Sequence, residues 1–228
     1  MKFFIKSIIV ILIMSTGLFI FWPNEEPVTS QTNSTPTSQA TNTATDQAST
    51  LIIGNPSAKA TIIEYADYKC PECGKYHQNA GKQIRKNYID TGLAKIVFRP
   101  YPVYSEDGAK ALAGSYCAQN QGKFVEYHDA LFEYMWVNHF RQRDYQKAID
   151  PVLTEPVMRD LLKTLGMNFD TYTTCLSSEV TKKAYDDDIY LAAPDDIQGT
   201  PSFIIGSQKI VGPQPYNVFK TLLDIQLR

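Results

Sequence analysis

Apolar and polar positions fall into three regimes along this chain. Near the start, Ser7 to Trp22 carries no charge and Ile8 to Met14 is unbroken aliphatic, with Phe3, Phe4 and Ile5 extending the run. This nearly reaches the roughly 20 residues that a bilayer-spanning helix requires. Lys2 and Lys6 lie on its N-terminal side, which predicts a cytoplasmic start and an exported remainder. Ser15-Thr16-Gly17 has the small-x-small pattern of a cleavage site, so a signal peptide competes. Because Leu18 to Trp22 stays apolar past that point, residues 1–23 read as an uncleaved anchor, with a cleaved signal segment as the alternative. Both place the rest of the chain outside the cytoplasmic membrane. No cysteine lies nearby, which excludes lipid attachment through a processed cysteine.

From Val28 to Thr50 more than half of the residues are Ser or Thr, and Asp46 is the sole charge. Such a segment cannot bury enough apolar surface to offset its ordering entropy. Residues 24–50 therefore read as a flexible tether spanning on the order of 30 Å. A glycosylated stalk is the variant reading, since Asn33-Ser34-Thr35 is an acceptor triplet.

Residues 51–228 are patterned for a folded domain, long enough for one well-buried core. Ala60 to Tyr65 is a β-rich run. Pro71 to Tyr88 repeats apolar residues every three or four positions (Cys73, Tyr76, Ala80, Ile84, Tyr88), which predicts a helix. After a turn at Asp90-Thr91-Gly92, Leu93 to Arg99 reads as a second strand closed by Pro100 and Pro102. Helical faces follow at Ala109, Leu112, Ala113, Tyr116 and Cys117, and, past Asn120-Gln121-Gly122, at Phe124, Tyr127, His128, Leu131 and Phe132. Weaker helical segments cover about 155–165, 169–176 and 179–193. Ser202 to Ile205 and Lys209 to Val211 are strands about a turn at Gly206-Ser207, and Tyr216 to Leu227 closes the chain as a helix. The order β-α-β, helical block, β-β-α predicts an α/β fold in which both ends join one mixed sheet, with a helical insertion at about 104–197.

Composition adds limits. Hydrophobic residues make up 43% and charged residues 20%, which is ordinary for a globular protein. The 22 basic against 24 acidic residues leave no surplus to grip a phosphate backbone, so nucleic acid is disfavoured as a partner. No dimerisation segment is recognised before the folded part, so a monomer is the default expectation.

The chemistry centres on Cys70-Pro71-Glu72-Cys73, where a strand gives way to a helix. Helix N-termini offer unsatisfied N–H groups and partial positive charge, which stabilise a thiolate. Proline suits the first helical position. Two intervening residues let the second sulfur close back on the first. Cys70 is thus expected to be the exposed nucleophile and Cys73 the more buried resolving thiol, with the acidic Glu72 opposing thiolate formation. Half of a zinc site or an inert disulfide are the bland alternatives. Zinc would need a second close pair or spaced histidines, and Cys117 and Cys175 lie far apart in the sequence. No metal or cofactor is expected. Thr200-Pro201 opens the next strand, and a cis bond there would turn the Thr200 backbone toward the sulfurs, although the sequence alone does not show one. Glu64, six residues before Cys70, reads as a carboxylate buried beneath the helix start, able to take or give a proton during exchange. An exposed strand acid is the alternative.

The segments ATIIEYADYKCPEC, AKALAGSYCAQNQGKFVEYHDALF and QGTPSFIIGSQKIVG together resemble the DsbA-like thiol:disulfide oxidoreductases. The resemblance implies a thioredoxin fold with an inserted helical domain, Cys70 as attacking and Cys73 as resolving cysteine, a cis Pro201 preceded by Thr200, and Glu64 at the buried-acid position. It also implies reduced exported proteins as substrates and a quinone-linked membrane partner that reoxidises the pair. The expected direction is oxidising; a reductase or isomerase of the cell envelope and a non-catalytic peptide-binding module are the alternatives. Lys69 departs from the family pattern and is expected to favour the thiolate, offsetting Glu72.

Four cysteines allow three pairings. If Cys70 and Cys73 pair locally, Cys117 and Cys175 remain, and a bridge between them suits an exported domain; two buried free thiols are the alternative. The resemblance also implies a helical-domain pair. His77 reads as a packed or solvated helix residue that could border the site, and His128 as a core residue. Asp186-Asp187-Asp188 and Asp195-Asp196 lack calcium-loop spacing and read as a solvated face. Tyr65, Tyr68 and Tyr101 read equally as groove lining or core.

Overall fold

The computed structural model describes residues 51–228; the expected anchor or signal segment (1–23) and tether (24–50, with Asn33) lie outside the described residues. The β-branched run Ala60–Ala66 forms β2, the central strand of a five-stranded sheet whose order is β1 (Ile52–Gly54), β3 (Ala94–Pro100), β2, β4 (Ser202–Ile205), β5 (Gln208–Val211). Strand β3 pairs parallel to β2, β4 pairs antiparallel to it, and β5 pairs antiparallel to β4. Both ends of the folded part thus share one mixed sheet. Strand β1, antiparallel to β3, is an addition to the expected elements. It is too short to show a period in the sequence.

Alternation along β2 decides what each face buries. Ile62, Glu64 and Ala66 share one face, which carries the main core; Ile63 and Tyr65 face a smaller cluster with Val97, Ala192 and Ile197. The first helix, α1, opens with Pro71–Tyr76 and runs on through two wide turns, His77–Gly81 and Arg85–Ile89, on either side of Lys82–Ile84. Its Tyr76 packs on Phe203 of β4 and on Phe219 of the closing helix, with ring centroids 4.5 and 5.4 Å away.

Between β3 and β4 lie α2 (Glu106–Asn120), α3 (Phe124–Asn138), α4 (Glu155–Thr164), α5 (Phe169–Leu176) and α6 (Glu179–Tyr190), and α7 (Tyr216–Leu227) follows β5. Ser105 caps α2 by accepting the Gly108 N–H, and Glu106 and Asp107 lie in the first turn, where they suit the helix dipole. Gly114 lets α2 approach its neighbours closely: a Cβ there would collide with the hydroxyls of Tyr172 and Tyr127. Cys117 of α2 and Cys175 of α5 are joined by a disulfide, with Cα atoms 5.7 Å apart.

The acidic run of α6 is not a uniformly solvated face. Asp186 and Asp187 pair with Lys182 and Lys183 at the surface, but Asp188 is fully buried and accepts the Tyr116 hydroxyl of α2. The helical period turns every third or fourth residue inward, whatever its charge. Among the described residues no helix is long and apolar enough to cross a membrane.

Candidate active site

The chain leaves β2 at Ala66 and turns tightly, with the Asp67 carbonyl accepting the Cys70 N–H at 3.0 Å. Cys70 is the N-cap of α1 in extended conformation, Pro71 takes the first helical position, and the Cys70 sulfur accepts the Cys73 N–H at 3.4 Å. A capping group normally satisfies the free N–H groups of the first turn with oxygen; here a sulfur does so, and its ionised form is the better acceptor. The Cys70 thiol is pulled down to about 7. The hydrogen bond from the Cys73 thiol is the largest cause, burial opposes it, and the Thr200 side chain with the N–H groups of Cys73 and Glu72 adds to the lowering. Burial pushes the Cys73 thiol well up, and the neighbouring Cys70 raises it further. Two cysteines three residues apart are thus set in opposite senses. Both stand as unlinked thiols in this structure.

The Thr200–Pro201 peptide bond is cis, and the Thr200 carbonyl lies 3.4 Å from the Cys70 sulfur, placed to accept its proton when it is a thiol. Pro201 is buried and leads into β4, where Ser202 anchors the loop by donating to the Gly199 carbonyl at 2.7 Å.

Three expectations need correction. First, Cys70 is not exposed: it is 1% accessible and lies with the main core, with Tyr104 of the loop after β3 close enough to feel its charge. Tyr104 is itself 37% exposed and lies on a surface loop. Asp67 holds that loop to the active-site turn. Its carboxylate accepts the N–H groups of Lys69, Val103 and Tyr104 at 2.9, 2.8 and 3.3 Å. Burial pushes the Asp67 carboxyl up, against the pull of those three donors.

Second, Lys69 does not lend its charge to the thiolate. It is fully buried, and its ammonium donates to both Asp107 carboxylate oxygens at 2.7 and 2.9 Å and to the Asp150 carbonyl at 2.6 Å. Burial works to raise the Asp107 carboxyl, but hydrogen bonds from Lys69, Ser105 and the Leu153 N–H hold it below the usual carboxylate range. Adjacency in sequence put Lys69 beside Cys70, whereas its side chain ties the active-site turn to the start of α2. Third, the Glu72 carboxylate is exposed and lies 3.5 Å from Lys75, so solvent screens it. Glu72 acts on Cys70 through its N–H group instead.

Glu64 is fully buried, between its register neighbours Phe98 and Phe203. Its Oε1 lies 3.0 Å from His77 Nε2, and Oε2 has no hydrogen-bond partner. His77 therefore meets the buried acid as well as packing, its ring stacked on Phe132 at 3.8 Å. His128 is a core residue, buried among aromatic rings. Tyr65 and Tyr68 are core as well, and Tyr101 packs partly buried against the smaller cluster. Asp67, Tyr104 and Asp107 escaped the sequence reading. Asp67, a lone acid three residues before the nucleophile, was the one available signal.

Strand, dithiol helix and proline loop in this arrangement define a thioredoxin-type fold carrying a redox-capable cysteine pair. The chain belongs to the thioredoxin family, whose model, described as Thioredoxin, matches residues 46–225. Its fold is that of the DsbA-like members. It superposes on Wolbachia pipientis α-DsbA1 with a TM-score of 0.63 at 24% identity, covering 77% of this chain and 89% of that one. Oxidised BdbD of Bacillus subtilis gives 0.64 at 22%, covering 79% and 93%. In sequence, the chain is 24% identical to disulfide bond formation protein D of Bacillus subtilis over 180 residues, 78% of this chain and 77% of that protein. A Rickettsia felis protein named as a protein-disulfide oxidoreductase matches at 24% over 158 residues, 68% of this chain. The chain spans about half the length of the Rickettsia relatives it matches.

Proposed function

We propose that the protein is an extracytoplasmic thiol:disulfide oxidoreductase that exchanges disulfides with exported proteins, working as an oxidant. The observation that carries the exchange chemistry, in either direction, is the opposed setting of the two thiols at the helix start, where the Cys70 sulfur accepts the Cys73 N–H at 3.4 Å, with Cys70 lowered to about 7 and Cys73 raised. The oxidising direction is taken from the resemblance to the DsbA-like proteins. A thiolate at the helix mouth is the better leaving group and target of attack, and a buried partner holds its proton until exchange requires it. A reduced substrate thiolate attacks the Cys70 sulfur of the oxidised pair, forming a mixed disulfide and expelling Cys73 as thiolate, which takes a proton. A second substrate thiolate then attacks the substrate sulfur and releases Cys70. The Thr200–Pro201 edge offers backbone groups to an extended substrate. Glu64 is the proton store for Cys73. A quinone-linked membrane partner would restore the disulfide, and residues 1–23 would tether the domain.

The reductase or isomerase direction is a second reading, favoured by one observation. Cys70 at about 7 lies with thioredoxin rather than with the strongest oxidants, and Lys69 contributes no free charge to lower it further. Equilibration of the Cys70/Cys73 pair against glutathione separates the two. A potential nearer about −120 mV supports the oxidant, and one nearer about −270 mV supports the reductase. Cys70→Ser tests the enzyme itself: undiminished export folding with this variant leaves only a binding module.

A further inference from the structure

We propose that His77 carries protons between buried Glu64 and solvent during disulfide exchange; this rests on the reading of Glu64 as the proton store for Cys73. Glu64 has no surface of its own, and its Oε1 contact with His77 Nε2 joins it to a side chain that is 16% exposed. His77 lines a half-open cavity of about 480 Å³, shared with Tyr76, Lys82, Arg85, His128 and Glu133. On the inner side, Tyr76 follows Cys73 in α1 and packs edge-on against the His77 ring, 5.3 Å between centroids. His77 thus joins the buried carboxylate of β2 to the solvent side of the dithiol helix.

The groups around His77 leave this role to it. From β2 it meets Glu64. From α3 it meets His128, 4.9 Å away between ring centroids; burial holds that ring neutral at physiological pH, and both its nitrogens lack partners. Asp129 is paired with Arg85, and Glu133 accepts from Gln78, which in turn accepts from Lys82. Lys86 and Asp90 complete the ionisable rim. An imidazole can accept a proton on one nitrogen and release one from the other, and the stack on Phe132 fixes the ring for this.

In the resolving step, the Cys73 thiol gives its proton to Glu64, and its sulfur attacks Cys70 of the mixed disulfide. The Cys70–Cys73 bond forms, and the substrate leaves as thiolate. Protonated Glu64 passes its proton to His77 Nε2, and Nδ1 releases one to solvent. The oxidising direction runs the same path inward. No electrons beyond those of the sulfurs move.

The test is the rate at which glutathione leaves a preformed Cys70–glutathione mixed disulfide, followed against pH with and without added imidazole. His77→Gln and His77→Ala should slow it about tenfold, less than the loss of a direct general base because water still reaches Glu64 slowly. Imidazole in the cavity should restore the His77→Ala rate, and the equilibrium constant with glutathione should change less than about twofold. Wild-type rates in both variants, or slow rates that imidazole does not restore, overturn the proposal. Glu64→Gln separates it from its premise. A wild-type rate there overturns the buried-acid reading, and hence the relay. A slow Glu64→Gln beside a wild-type His77→Ala overturns the relay alone.

Discussion

Replacing Lys69 with methionine separates two roles that its place in the sequence confuses. The structure gives its ammonium to Asp107 and the Asp150 carbonyl, so Lys69→Met should cost stability and leave the nucleophile alone. Removing one partner of a fully buried pair costs about 3–5 kcal/mol. Asp107 borders solvent and keeps the Ser105 hydroxyl at 2.6 Å and the Leu153 N–H at 2.9 Å. The loss here should therefore be about 2 kcal/mol after screening. With a urea dependence of about 2 kcal/mol per molar, the unfolding midpoint should fall by about 1 M at neutral pH. The loss depends on pH in a definite direction. The folded pKa of Asp107 lies below its unfolded value, so its contribution is present above about pH 4 and is lost as pH falls through the folded value. Wild-type and variant curves should therefore converge in acid. The Cys70 thiol should keep its value of about 7. A clear rise in that value with no loss of stability would refute the assignment.

Three further outcomes follow from the packing and from the Tyr104 ring near the site. Replacing Cys117 and Cys175 together by alanine opens the loop that their bridge closes. It should cost about 4 kcal/mol in the chain-entropy model, read by urea unfolding, with Cys70 alkylation unchanged. An unchanged midpoint would deny the bridge a structural role. Gly114→Ala forces a methyl group against two buried hydroxyls and should lower stability by about 2 kcal/mol or more; a thermal melt that does not move would contradict that contact. Tyr104→Ala removes the partly exposed ring near the Cys70 sulfur and should raise its alkylation rate at fixed pH severalfold, whereas an equal or slower rate would show that Tyr104 does not shield it.

The site's centre was legible because its signals are local. Cys70, Pro71 and Cys73 sit together at one helix start, and the physics of that start acts within a single turn. The long helices and the paired end strands were legible from periodicity. What escaped depends on contacts distant in sequence. Asp107 claims Lys69 from the start of α2, and Tyr104 comes near Cys70 from another loop. Asp188 is buried because α6 turns it toward Tyr116, which an acidic run does not reveal. Glu64 could be placed under the helix from strand alternation, but its contact with His77 joins residues 13 positions apart on a strand and a helix, and no local pattern announces it.

Everything proposed for the site depends on Cys70 ionising ahead of Cys73. The most direct measurement is thiolate ultraviolet absorbance of the reduced protein against pH, paired with alkylation and mapping of the labelled cysteine. One thiol should titrate at about 7, Cys70 should take the label, and Cys70→Ser should abolish that titration. Two thiols titrating together at about 8.5, the ordinary cysteine value, or labelling of Cys73 first, would contradict it.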